Sequence, residues 1–155
     1  FMLYGNVLKN LREEKELSQK DIAKSLKIDN SLYAKYEKEY NIIPIQHLNS
    51  ICNYLNVSID YLFSFTNEKT YKDISKEINM DKMKTRLKDL RKKENITQEK
   101  LSKELNMARS ALANYERGRT VIATPFLYTI CKKYHISADY LLGRIDEIKL
   151  PIPSK

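Results

Sequence analysis

Apolar residues recur along this chain at spacings of three and four, the period of a helix, and no strand-like alternation appears. Met83, Leu87 and Leu90 fall on one helical face. Ile96 and Thr97 follow. Thr97 is placed as an N-cap, with Lys100 where a capping-box glutamate would stand, so the box is incomplete. Leu101 and Leu105 mark a short second helix, followed by Asn106, which tolerates the left-handed conformation. A third helix is predicted from about Arg109 to Arg117, with Leu112 and Tyr115 inward and Gly118 as its stop. Pro125 suits the first turn of a fourth helix, and Asp139 to Leu142 form a brief fifth.

The same pattern occurs once before. A shift of 79 residues lays Leu8–Ser64 on Leu87–Gly143 without a gap, and 19 of the 57 positions are identical. In this first copy Ser18 and Asp29 are the expected caps of helices two and three. A repeat of this kind means two copies of one helical unit. The expected organisation is a unit over 1–64, a linker over 65–81, a second unit over 82–143 and a tail over 144–155. Tyr71, Ile74 and Ile78 are spaced for one helical face, which predicts a partly helical linker that docks. The tail, interrupted by Pro151 and Pro153, is expected to be extended.

Charge separates the copies. The 155 residues carry a net charge of +8, but residues 1–64 balance 8 Lys/Arg against 8 Asp/Glu, whereas residues 82–143 hold 14 against 6. A basic unit of this size points to a polyanionic partner, nucleic acid before an anionic membrane surface. No membrane span or signal peptide is visible; the apolar start, Phe1 to Leu3, is too short for either. Cys52 and Cys131 hold the same repeat position, each inside an apolar helical stretch, and read as buried free thiols in a reducing cytoplasm. The only histidines, His47 and His135, do not share a repeat position, and no cysteine or carboxylate cluster joins either at ligand spacing. No metal, cofactor or catalytic activity is therefore expected.

Each copy has a short helix, a tight turn, and a second short helix with polar outward positions. That is helix-turn-helix geometry, in which the second helix enters the major groove. The run from Thr97-Gln98 to Tyr115-Glu116-Arg117-Gly118-Arg119-Thr120, with its continuation Ile136-Ser137-Ala138-Asp139-Tyr140-Leu141-Leu142-Gly143, resembles the lambda-repressor-like (Cro/XRE-type) family. The resemblance covers about 57 residues in each copy. It implies an all-α chain of two tandem five-helix DNA-binding domains.

The resemblance also implies roles. Gln98 touches phosphate and braces the recognition helix. Arg109 and Ser110 read base edges, and Asn114 shares their face one turn on. Arg pairs bidentately with guanine and Asn with adenine, each worth about 1–3 kcal/mol of discrimination. Arg117, Arg119 and Thr120 match the loop that holds backbone phosphates. In the first copy Gln19, Asn30, Ser31, Lys35 and Lys38 keep a polar face suited to weaker contacts. Arg91 with Glu116, and Arg12 with Glu37, correspond to a semi-buried salt bridge with a structural role.

Departures from the family pattern matter. Ala108 stands where a Ser or Thr cap is common, a loss of about 1 kcal/mol. In the first copy Glu39-Tyr40-Asn41 replaces Gly118-Arg119-Thr120, which puts a carboxylate in the phosphate-facing loop, and Leu32 replaces the small Ala111.

The expected function is a bacterial or phage transcriptional regulator that binds duplex DNA sequence-specifically, mainly through its second unit, and represses. The alternative is an antitoxin-like or phage control protein whose main partner is another protein, met through residues 1–64. Two architectures fit. Both units of one chain could take successive half-sites, or the chain could form a homodimer whose basic units read a palindrome. The neutrality of the first unit favours the second arrangement.

Overall fold

The helical spacing is realised as ten α-helices within residues 3–148, the part of the chain described by the computed structural model. They are α1 (Gly5–Glu14), α2 (Gln19–Leu26), α3 (Asn30–Glu37), α4 (Ile45–Leu55) and α5 (Ile59–Leu62), then α6 (Met80–Lys93), α7 (Gln98–Glu104), α8 (Arg109–Glu116), α9 (Thr124–Tyr134) and α10 (Ala138–Leu141). No strand occurs among the described residues. α3, α4 and α5 precede α8, α9 and α10 by the 79-residue shift at both ends.

Local chemistry sets the helix starts. Ser18 accepts from the Asp21 N–H while Asp21 accepts from the Ser18 N–H, a complete capping box. Thr97, Ser58 and Ser137 cap α7, α5 and α10 through their side chains. Asp29 stands at the N-cap of α3 but makes no side-chain cap bond, contrary to the expectation from its type. Ala108 offers none to α8 either. Both third helices thus begin with uncapped amides.

The turns repeat even where the residues do not. Positive φ occurs at five equivalent pairs: Glu16 and Asn95, Lys27 and Asn106, Glu39 and Gly118, Asn56 and His135, Ser64 and Gly143. The second unit fills these positions with Asn, Gly and His, which tolerate the left-handed region, whereas the first holds Glu or Lys at three of the five. One backbone is therefore imposed on two sequences, at greater local strain in the first.

One continuous apolar core runs through both units, from Leu8, Ile22 and Leu48 to Leu87, Leu112 and Leu127. The units meet at α5 and α10. The Asp139 carboxylate accepts from the N–H groups of Ile59 (3.1 Å) and Asp60 (2.7 Å). The Asp60 carboxylate accepts from the Ala138 N–H (2.7 Å) and from the Ser137 hydroxyl. Phe63 meets Tyr128 of α9 edge-on and Phe65 packs on the same ring at a tilt, with ring centroids 5.3 Å away in each case. The Thr124 hydroxyl donates to the Ile43 carbonyl across the same boundary at 2.5 Å.

The connection between α5 and α6 docks, but not as the expected helix. Tyr71 is buried and donates its hydroxyl to Asp60 (2.8 Å), while Ile74 and Ile78 are half-buried without a helical turn between them. The physical reason is competition for backbone groups. The Lys69 carbonyl accepts from the Ser58 N–H, the Ser75 N–H donates to the Arg144 carbonyl, and the Lys76 carbonyl takes the Asn49 and Asn53 amides. Tertiary hydrogen bonds thus satisfy groups that a helix would pair internally. Asp73 also sits at φ 59, off the helical path.

The segment after α10 is not uniformly a tail. Arg144 is 2% exposed, and its three nitrogens donate to Asp139 (2.9 Å), Asn53 (2.8 Å) and the Ser75 carbonyl (3.2 Å). One side chain thereby joins the second unit, the first unit and the linker. The Pro-interrupted stretch 149–155 lies outside the described residues.

Candidate nucleic-acid interface

α8 presents a narrow polar stripe. Arg109 and Ser110 are exposed on its first turn, Asn114 is half-buried one turn on, and Arg117 is exposed at its C-cap. Ser110, Asn114 and Arg117 fall at i, i+4 and i+7 with Arg109 beside them, which puts all four on one side of the helix, opposite the buried Leu112 and Tyr115. The uncapped first-turn amides add partial positive charge beside Arg109. At the other end the Gly118 N–H donates to the Tyr115 carbonyl and the Arg119 N–H to the Asn114 carbonyl, a Schellman close with Gly118 at φ 72. The chain then turns so that Arg119 and Thr120 are both exposed. No ion pair among the described residues holds Arg109, Arg117 or Arg119.

Behind the stripe lies a brace that fixes α8 on α6 and α7. Arg91 donates its Nε to Glu116 Oε2 (2.7 Å) and Nη2 to Oε1 (2.9 Å), while Nη1 reaches the Ile96 carbonyl (2.9 Å). Gln98 adds its Nε2 to Glu116 Oε1 (3.2 Å). Gln98 is half-buried, and its amide nitrogen has a second proton to offer outward. Arg12, Leu17, Gln19 and Glu37 repeat every bond, with Arg12 Nε to Glu37 Oε2 at 2.6 Å and Gln19 Nε2 to Glu37 Oε1 at 3.1 Å. Burial alone would raise the Glu37 carboxyl, but the hydrogen bonds from Arg12 and Gln19 help hold it below the ordinary value. These four charged residues tie helices together rather than face outward.

Two further basic residues border the end of the α8 stripe. Lys84 and Lys88 line an open cleft of about 330 Å³ between α6 and the end of α8, together with Thr85, Asp89, Glu116 and Arg117. The Lys84 stem lies against Gly118, where a Cβ would meet its Cδ at 3.0 Å. Their signal was available as an i, i+4 lysine pair on the polar face of α6, but helical register alone does not say which polar face borders α8.

The first unit offers a different surface. Asn30, Ser31, Lys35 and Lys38 are exposed on and just beyond α3, and Leu32 is half-buried among them. Glu39 does not occupy a phosphate-facing position, as its alignment with Gly118 suggested. Its carboxylate folds back onto the start of α1 and accepts from the N–H groups of Leu3 (3.1 Å), Tyr4 (3.1 Å) and Gly5 (2.9 Å). The negative charge is thus held by a helix N-terminus. Tyr40 and Ile42 beyond it stand 75% and 61% exposed.

Cys52 and Cys131 are free and fully buried, and burial pushes both thiols up. His47 pairs its Nδ1 with the Tyr36 hydroxyl at 3.0 Å. Among the described residues no cluster of three metal-ligating side chains occurs, and no helix is long and apolar enough to cross a membrane.

Similarity to known proteins follows the same two units. The HTH-type transcriptional regulator ImmR of Bacillus subtilis (strain 168) is 40% identical over 63 residues, 41% of this chain and 49% of that protein. The uncharacterized HTH-type transcriptional regulator YqaE of the same organism is 34% identical over 80 residues, 51% of this chain and 69% of that protein. The chain thus spans about half the length of the first and about two thirds of the second. No solved structure matches the chain at a significant level. The family model described as helix-turn-helix domain matches residues 5–68 and again residues 85–147, which together are most of the chain. With one such match over each braced unit, the chain belongs to the helix-turn-helix family of Cro/XRE type and carries two copies of its domain in tandem.

Proposed function

We propose that this protein is a sequence-specific duplex-DNA-binding transcriptional regulator that acts by binding, not by catalysis, and that it represses by occupying promoter DNA. The observation that carries this reading is the stripe on α8. An exposed Arg109, Ser110 and Asn114 are followed by a loop that presents Arg117, Arg119 and Thr120, all on the unit that holds the chain's excess positive charge. The spacing suits base edges read from the first turns of the helix, with phosphates gripped on either side. Gln98, Lys84 and Lys88 border the same face and add phosphate contacts. α3 makes the weaker set through Asn30, Ser31, Lys35 and Lys38, without a basic loop after it.

A second reading has one observation in its favour. Tyr40 and Ile42 are large, apolar and exposed in the loop after α3, where the second unit has Arg119 and Val121. Such a pair suits a protein surface better than a phosphate backbone, so the first unit would then meet a protein partner.

Binding of the whole chain to random and selected duplexes at two salt concentrations tests the first reading. Neutralising Z phosphates gives a slope of about −0.9Z in log K against log salt. A steep slope on all duplexes, with tighter binding to selected ones, is the expected result. Absence of binding at low salt overturns it.

A further inference from the structure

The contact between α5 and α10 has a symmetry that a simple tandem array lacks. Asp139 accepts from the Ile59 N–H, and Asp60 accepts from the Ala138 N–H. Under the 79-residue correspondence, Ile59 is equivalent to Ala138 and Asp60 to Asp139. This pair of contacts is therefore reciprocal, while the Asp60 N–H to Asp139 and Ser137 hydroxyl to Asp60 bonds add to it from one side each. A surface that meets its own counterpart in this way is isologous, the signature of a two-fold axis; a head-to-tail repeat joins two different surfaces. The two units of one chain face each other as two subunits of a dimer would.

The surroundings of that axis are unlike on its two sides. On one side Phe65 packs on Tyr128 at 5.3 Å. The equivalent positions on the other side are Arg144 and Asn49. There Arg144 is bound to Asp139, Asn53 and the Ser75 carbonyl, and Asn49 donates to the Lys76 carbonyl. Thr124 donates across the boundary to Ile43, whereas its equivalent, Ile45, has no hydroxyl to give. Pairing two second units would set Arg144 against Lys132, in the place of Asn53, twice, and pairing two first units would set Phe65 against Asn49 twice. Each unit fits the other better than it fits a copy of itself.

We propose that a single chain, as a monomer, occupies one operator built of two unlike half-sites in inverted orientation, α8 reading one half and α3 the other. The self-complementary surface around α5 and α10 is already covered inside one chain. The two-fold relation inverts one half-site relative to the other. Arg109, Ser110 and Asn114 against Asn30, Ser31 and Lys35 make the halves different in sequence. This rests on the DNA-binding reading above and extends it to the form of the target.

The test uses the whole chain. Duplexes selected from a random pool give the operator, and native mass measurement of the complex gives the number of chains on it. The expected result is one chain per duplex, on two unlike inverted half-sites with centres about one helical turn, ~34 Å, apart. Arg109→Ala should relax preference in one half only and Asn30→Ala in the other only; both side chains are exposed, so both variants fold. Replacing the weaker half with an inverted copy of the stronger should weaken binding about ten-fold. Two chains per duplex, a symmetric operator, or an Asn30→Ala variant with unchanged preference at every position would overturn the proposal and leave DNA binding standing. Failure to bind any duplex at low salt would remove the DNA-binding reading and this proposal with it.

Discussion

Asp60 and Asp139 each hold the start of the helix that carries the other. The Asp139 oxygens lie 3.1 and 2.7 Å from the first amides of α5, and an Asp60 oxygen lies 2.7 Å from the first amide of α10. Two four-residue helices, too short to persist alone, are thus stabilised across a domain boundary. Burial and the nearby Asp60 carboxylate push the Asp139 carboxyl up, against the opposing pull of Arg144.

Asp139→Asn keeps the size of the side chain but replaces an acceptor with an amide and leaves the Arg144 guanidinium buried without its counter-charge. The expected cost is about 3–5 kcal/mol, the range for breaking one partner of a buried pair. Chemical denaturation of the whole chain measures it. Adding Arg144→Met to that variant should recover part of the loss, because the orphaned charge is then gone.

On DNA, the two arginines flanking the α8 stripe should behave differently. Arg109→Ala is expected to relax sequence preference, with a loss of about 1–3 kcal/mol confined to the preferred duplexes. Arg119→Ala is expected to weaken all duplexes alike and lower the salt slope by about 1. Titration of selected and random duplexes across salt separates the two. Equal losses on every sequence for Arg109→Ala would remove it from the reading role.

The turns after the third helices differ in what they tolerate. Glu39 sits at φ 56, yet its carboxylate takes three amides at the start of α1. Glu39→Ala keeps the left-handed strain and loses the cap, so stability should fall by about 1–2 kcal/mol. Gly118→Ala introduces strain at φ 72 and presses on Lys84, and should cost about 1 kcal/mol or more. Thermal or denaturant melts distinguish these from neutral surface changes such as Lys92→Ala.

Acid should weaken the first unit through Glu37. Its carboxyl is held below the unfolded value near 4.5, so its contribution to stability is present above that pH and is lost as pH falls through the lower, folded value. Glu37→Gln should be less stable at neutral pH and show a flatter loss as the pH falls below the ordinary glutamate value. Denaturant midpoints taken from neutral to acid pH are the readout. A slope equal to the parent's would show that Glu37 does not carry the acid sensitivity.

The two thiols should be silent in the folded chain. Cys52 and Cys131 are fully buried with their thiols pushed up, so a thiol-reactive probe should label neither until denaturant unfolds the chain. Labelling of either at native rates would mean that the α4 or α9 side of the core opens locally.

Most of the fold was legible in the chain because it depends on short-range periodicity and on a pattern met twice. Met83, Leu87 and Leu90 are buried on one face of α6, Thr97 caps α7, Asn106 is left-handed, and Gly118 ends α8. These features are decided within about five residues of one another, where spacing and side-chain type are sufficient. The linker was misread for the same reason. Tyr71, Ile74 and Ile78 have helical spacing, but the backbone groups of Lys69, Ser75 and Lys76 around them are claimed by Ser58, Arg144, Asn49 and Asn53, which are not their helical neighbours.

By itself the sequence determined two helix-turn-helix units, the polar stripe on α8, and the placing of the excess charge on the second. It also determined that each unit carries an Arg, a Gln and a Glu at brace positions, and the geometry follows from the short loops between them. The tertiary structure alone decided where Glu39 points, that Arg144 is buried, and that the two copies meet face to face through Asp60 and Asp139. The physical reason is range. Helices answer to neighbours three and four residues away, whereas these contacts join residues as much as 91 positions apart, whose encounter depends on how whole units pack.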